Sequence, residues 1–249
     1  TSINEISILQ AIGYASIAKD KKVKGAENLI QNLIPLLNEN SFFTTSNGFW
    51  FGSVGYLWLW WEGRKFNRPI RAWVGGVSNE TTRDVCQKEL LGQPDDPTAK
   101  GTGSIPLNDI GDTVRKAGVP NAINSVVVKH ITGGYSRLGF KAYEMGKEKW
   151  MGESLDVIWL DEEPPQGIYS QALTRTADKG GIVYMTFTPE QGMTETVAQF
   201  VNNLKEGQAL LQATWDDAPH MTTKVREQIL EALPPHERKM RERGIPVLG

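Results

Sequence analysis

Two apolar runs constrain this chain more than any other feature. Residues 155–160, LDVIWL, and 181–187, GIVYMTF, are almost unbroken hydrophobic stretches of strand length, with a helix-length segment between them. A strand with one wet face alternates polar and apolar residues, whereas an unbroken run belongs to a strand covered on both faces. Two such strands joined through one helix form a parallel pair. The same alternation begins near residue 70. IRAWVGG (70–76), SVVVKHI (125–131), GFKAY (139–143) and QALLQAT (208–214) read as strands. NETTRDVCQKELLG (79–92) reads as a helix with Asn79 at its N-cap, as do 166–178 and 193–206. Residues 222–243 read as a charged helix broken at Pro234–Pro235. The fold class is α/β: a mostly parallel sheet flanked by helices, with short β-rich pieces inserted before Leu155.

The first forty residues differ. Residues 3–19 and 26–38 repeat apolar positions at helical spacing around a charged KDKK turn, so 1–40 form an N-terminal helical segment apart from an α/β domain over 41–249. The sequence leaves the origin of residues 1–53 open between a native segment and one acquired by frame change or fusion. Trp50, Trp58, Trp60 and Trp61 crowd the start of the domain, where core packing is a simpler reading than base stacking. A single cysteine, Cys86, excludes an internal disulfide framework and a cysteine-based zinc cluster. His130, His220 and His236 stand at no metal-ligand spacing. The net charge of −2 neither demands nor forbids a nucleic-acid partner. No apolar run has the length of a membrane span.

The buried strand ends abnormally, in Asp161, Glu162, Glu163 and two prolines. Ligands of open parallel sheets bind at the carboxyl ends of strands. An aspartate there can hold Mg²⁺ through its waters, while the next acid orients or deprotonates an attacking water. The second run ends in Thr186, Thr188 and Pro189, and a neighbouring strand would bring those hydroxyls beside the acids. The bland alternative is a solvated acidic turn, with the threonines capping the next helix.

Several ordered blocks carry a resemblance: WWEGRKF, RPIRAWVGG, GFKAYEMGKEKWMGESLDVIWLDEEPP, TFTPEQGMTETV, TWDDAPHMT and PPHERKMRERGIPVLG. Together, over about residues 54–249, they resemble the ATPase domain of the large terminase subunit of tailed bacteriophages. That resemblance implies a P-loop NTPase fold of the ASCE/RecA-like type, with ATP and Mg²⁺ as cofactors. It makes Asp161 the Mg²⁺-associated Walker B acid, Glu162 the catalytic base and Thr186–Pro189 the motif coupling hydrolysis to movement. It implies packaging of double-stranded DNA, with the portal protein and small terminase subunit as partners, homo-oligomeric assembly on the portal, and the host bacterial cytoplasm as location. Arg175 reads either as an arginine finger or as a helix-surface arginine. The family's nuclease domain is expected to be absent from this sequence.

One part of the pattern is missing. A phosphate-binding loop, GxxxxGK[ST], cradles phosphates with backbone N–H groups and reaches them with its lysine. Its expected place holds Gly48, Gly52 and Ser53, but no lysine lies between Phe42 and Trp61. The glycine spacing recurs at Gly134–Lys141, where Phe140 displaces the lysine and strands flank both sides, so this is a β-turn. The expectation is a motor domain with an intact acidic half and an impaired phosphate loop. The alternative is a non-catalytic terminase-like module that binds portal, small subunit or DNA.

Overall fold

A computed structural model describes residues 41–44, 68–130, 132–205, 208–212, 215 and 222–245. The chain divides into two compact units, residues 49–186 and residues 1–48 together with 187–249. The described strands are β1 (Ser41–Thr44), β2 (Arg71–Gly76), β3 (Ile110–Arg115), β4 (Ile123–Lys129), β5 (Tyr135–Ala142), β6 (Val157–Asp161), β7 (Ile182–Phe187) and β8 (Ala209–Gln212).

In the first unit one sheet runs in the order β3-β4-β5-β2-β6-β7. β5, β2, β6 and β7 are parallel neighbours, while β3, β4 and β5 form an antiparallel extension. The apolar runs land where their composition requires. Val157 to Leu160 and all six residues of β7 are buried. β3, which the sequence did not betray, is an edge strand with mostly exposed residues, among them Asp112 and Arg115. Such a half-polar strand carries no hydrophobic pattern to read, and its charges discourage pairing with another chain.

The helix over 79–91 begins one residue earlier in its capping than expected. Ser78, not Asn79, is the N-cap: its hydroxyl accepts from Thr81 N–H, and Thr81 reciprocates to the Ser78 N–H. Asn79 instead donates from its backbone and its side chain to Glu144. The middle of this helix, Thr82–Gln87, is π-helical, a form found disproportionately beside functional sites. The expected turn at Gly134 is present: His130 N–H closes on the Gly134 carbonyl at 3.0 Å between β4 and β5.

The start of β6 is anchored by Asp156, which is fully buried. Its carboxylate accepts from the Arg68 guanidinium at 2.7 Å and Arg71 N–H at 2.8 Å, with Lys179 at 3.6 Å. The crossover helix Gln166–Ala177 leaves the acidic end behind Pro164–Pro165 and returns alongside the strand. Gly181 lets the chain re-enter the sheet, because a Cβ there would sit 2.6 Å from the Asp156 carbonyl.

In the second unit β1 and β8 pair in parallel. Helices Glu195–Asn202 and Thr223–Ala232 are N-capped by Thr194 and Thr222, and Pro235–Arg243 ends at Gly244 with φ 62°. Pro234–Pro235 separates the last two helices, as their sequence requires. Gly48, Gly52, Ser53, the N-terminal helical segment and the four early tryptophans lie outside the described residues.

Candidate nucleotide site

The carboxyl end of β6 positions the acids. Asp161 is the last residue of the strand and aligns with Thr186 on the parallel neighbour β7. The Thr186 hydroxyl donates to Asp161 Oδ1 at 2.7 Å and itself accepts from Trp159 Nε1–H at 2.9 Å. Trp159 stands two residues before Asp161, hence on the same face of the strand, and its ring stacks on Tyr184 with 6.0 Å between centroids. The π-helical segment brings the fully buried Cys86 against the same carboxyl, to which its thiol donates. Desolvation dominates this pocket. It pushes the Asp161 carboxyl up to about 6, against the pull of the Thr186 and Cys86 hydrogen bonds.

Glu162 has the opposite environment. Its side chain is exposed, and its backbone is left-handed with φ 62°, a conformation that non-glycine residues seldom adopt. Two contacts hold that backbone. Glu162 N–H donates to the Thr186 carbonyl at 2.7 Å, so one residue of β7 fixes both acids. Behind them the buried Tyr143 hydroxyl lies 2.8 Å from the Asp161 carbonyl, 3.1 Å from that of Glu162 and 3.3 Å from that of Gly75. It holds one proton for three acceptors, and desolvation raises its pKa well above the ordinary phenol range, so it stays a donor.

The arrangement separates the two carboxyls chemically. Asp161 is recessed and oriented; Glu162 projects into solvent from a left-handed backbone. Hard oxygen donors suit Mg²⁺, and a carboxylate whose ionisation is opposed by burial gains most from a cation. Among the described residues no three His, Cys, Asp or Glu side chains converge as a ligand cluster.

Of the other expected residues, Thr188 lies just beyond β7, where its carbonyl accepts from Glu190 N–H at 2.7 Å in the turn through Pro189. Arg175 is near the end of the crossover helix, its carbonyl accepting from Leu155 N–H at 2.8 Å. That is the start of β6, about 20 Å from Asp161 at the rise of a strand. Cys86, Tyr143 and Trp159 were missed as site residues. Trp159 was legible in principle from its period-two relation to Asp161, but nothing local to Cys86 or Tyr143 announces their contacts.

The mostly parallel sheet flanked by helices is the ASCE-type fold of terminase ATPase domains, and the Asp–Glu pair stands at the end of one of its buried strands. Within that class the chain belongs to the terminase large-subunit family: the model for the T4likevirus-type N-terminal region matches residues 58–249. The chain is 39% identical over 194 residues to the large terminase subunit of Salmonella phage P22, covering 76% of this chain and 39% of that protein. It is 31% identical over 179 residues to that of Enterobacteria phage LP7, covering 71% and 37%. The chain thus spans about two fifths of the length of the curated relatives it matches. Among solved structures, the large terminase of a thermophilic bacteriophage in complex with ADP superposes with a TM-score of 0.63 at 15% identity, over 85% of this chain and 48% of that one. The large terminase ATPase domain of Thermus phage P74-26 gives 0.59 at 12% identity, over 85% and 89%. These two likenesses concern the fold.

Proposed function

We propose that this chain carries the nucleotide-hydrolysing domain of a motor that packages double-stranded DNA into phage procapsids, and that its own ATP turnover is impaired. The observation that carries the reading is the Trp159–Thr186–Asp161 hydrogen-bond relay beside the left-handed Glu162. Asp161 would hold Mg²⁺ through its water shell, and Mg²⁺ would supply charge neutralisation at the ATP phosphates. Glu162 orients a water for in-line attack on the γ-phosphorus and accepts its proton, while the bond to the ADP oxygen breaks. Thr186 links the two acids to β7, whose continuation through Thr188 and Pro189 is the route for coupling to movement. The oxygens held by such a site develop charge that a phosphate-loop lysine would normally meet. Where that loop is expected, the sequence has Gly48, Gly52 and Ser53 and no lysine to supply that charge. Double-stranded DNA, the portal protein and the small terminase subunit are the partners this reading assigns, with homo-oligomeric assembly on the portal in the host cytoplasm. Among the described residues no helix is long and apolar enough to cross a membrane.

Phosphate release from Mg-ATP tests the reading. Turnover close to the protein-free background is expected. Robust Mg-dependent turnover abolished by Glu162→Ala would keep the site and overturn the impairment. A folded chain that neither turns over nor binds Mg-ATP would leave the non-catalytic module as the better account.

A further inference from the structure

The antiparallel extension gathers cations that are far apart in sequence. Between β4 and β5, Lys129 stands opposite Tyr135 and Val127 opposite Arg137, and residues directly opposite share a face. Between β2 and β5, Arg71 aligns with Arg137, Trp73 with Gly139 and Gly75 with Lys141. Lys129, Arg137, Lys141 and Arg71 therefore project from one side of the sheet. The Lys141 ammonium lies 4.1 Å from the Trp73 ring centroid and donates to the Lys149 carbonyl at 2.9 Å, which brings Lys149 to the same side. The other side of these strands is core: Val126, Leu138 and Phe140 are at most 3% exposed.

Charge on this face is not locally balanced. Arg71 pairs with Glu153, and Arg68 with the buried Asp156, so these two are neutralised where they stand. Lys129, Arg137 and Lys149 are exposed, and with the half-buried Lys141 they have no carboxylate at ion-pair distance among the described residues. The other nearby acids are Asp112 on β3 and Glu148, both exposed. In a chain of net charge −2, Lys129, Arg137 and Lys149, with Lys141 partly covered over Trp73, are a local excess on one side of the sheet.

We propose that this face grips the phosphate backbone of duplex DNA without reading its sequence. The proposal deepens the motor reading above and rests on it for the choice of polymer. Tyr135 to Lys141 spans about 20 Å along β5, the rise of about six base pairs. Among the described residues Tyr135 is the one exposed aromatic, 61% accessible, where a single-strand site needs a series of stacking platforms. A pleated sheet face also lacks the projecting helix or ribbon that enters a major groove, so its contacts position DNA rather than specify it.

The test is binding of a fluorescein-labelled 30-base-pair duplex to the whole chain, without nucleotide, by anisotropy between 50 and 200 mM KCl. Four released counterions give a log–log slope of about −3.6, or roughly a 150-fold loss of affinity over that range. Lys129→Ala with Arg137→Ala should bring the slope to about −1.8 and the loss to roughly 12-fold, equally on two unrelated sequences. The charge-conserving pair Lys129→Arg with Arg137→Lys should restore the original slope, which a defect of folding would not allow. An unchanged slope in the alanine pair, no duplex binding by the parent chain at 50 mM, or tighter binding of the single strand would each overturn the proposal. Asp161→Ala separates this from the motor reading: it should leave the DNA slope intact, and ATP binding indifferent to Asp161→Ala would sink the motor reading alone.

Discussion

Asp161→Asn should make the free protein more stable at neutral pH, because the site is built against its own charge. Burial raises the Asp161 carboxyl from its ordinary 3.8 to about 6, and at 1.36 kcal/mol per pH unit the ionised form costs about 3 kcal/mol in the fold. The sign follows from linkage. With the folded pKa above the unfolded one, protonation favours the fold below about pH 3.8, and that contribution disappears as pH rises through about 6. Asparagine keeps an acceptor for the Thr186 hydroxyl but presents N–H donors to the Cys86 thiol, a mismatch of about 1–2 kcal/mol. The net gain at pH 7.5 is about 1–2 kcal/mol, or ~2–8 °C in melting temperature for a chain of this size. Thermal melts of both proteins at pH 4 to 8 measure it. The mismatch should leave the variant slightly the less stable at pH 4, the difference should change sign before pH 6 and level off a little above it, and added Mg²⁺ should raise the parent but not the variant. A variant less stable at pH 7.5, with a difference that is flat in pH, would refute the desolvation argument.

Tyr143→Phe removes the donor shared by the carbonyls of Asp161, Glu162 and Gly75. It should cost about 1–2 kcal/mol, seen as a lower melting temperature and roughly tenfold faster hydrogen exchange at the Glu162 amide. At the other end of β6, burial opposes ionisation of Asp156, but the Arg68 hydrogen bond, the Arg71 N–H and Lys179 together hold its carboxyl below 3.8. Because that folded pKa is depressed, the stabilisation is present above the unfolded value and lost as pH falls through the folded one. Arg68→Ala should therefore destabilise by about 1–2 kcal/mol at pH 7, discounted for the half-exposed guanidinium and the partners that stay, with the difference shrinking in acid unfolding experiments.

What the sequence disclosed follows from how each feature is encoded. β6 and β7 were legible because burial on both faces leaves no polar residue to interrupt the run, and the two prolines marked where β6 stops. The position of Asp161 and Glu162 at the end of β6 was legible for the same reason: charge at the end of such a run is conspicuous. β3 was hidden, since an edge strand needs no apolar alternation, and GFKAY announced only the buried half of β5. The capping of the 79–91 helix was misjudged by one residue because Ser78 and Asn79 are both good caps, and Glu144, 65 residues away, claims the asparagine. Cys86 and Tyr143 reach Asp161 and Glu162 only through strand order, a property no local window contains. The cationic face was hidden likewise, since Lys129, Arg137 and Lys149 become neighbours by pairing and not by spacing.

The most direct measurement is a calorimetric titration of the purified chain with ATP in Mg²⁺, repeated with Asp161→Ala after its fold has been checked by thermal melting. The account predicts saturable, Mg²⁺-dependent heat in the parent chain and none in the variant. A folded parent chain that binds no nucleotide, or a variant that binds it equally well, would contradict the claim that the end of β6 is a nucleotide site.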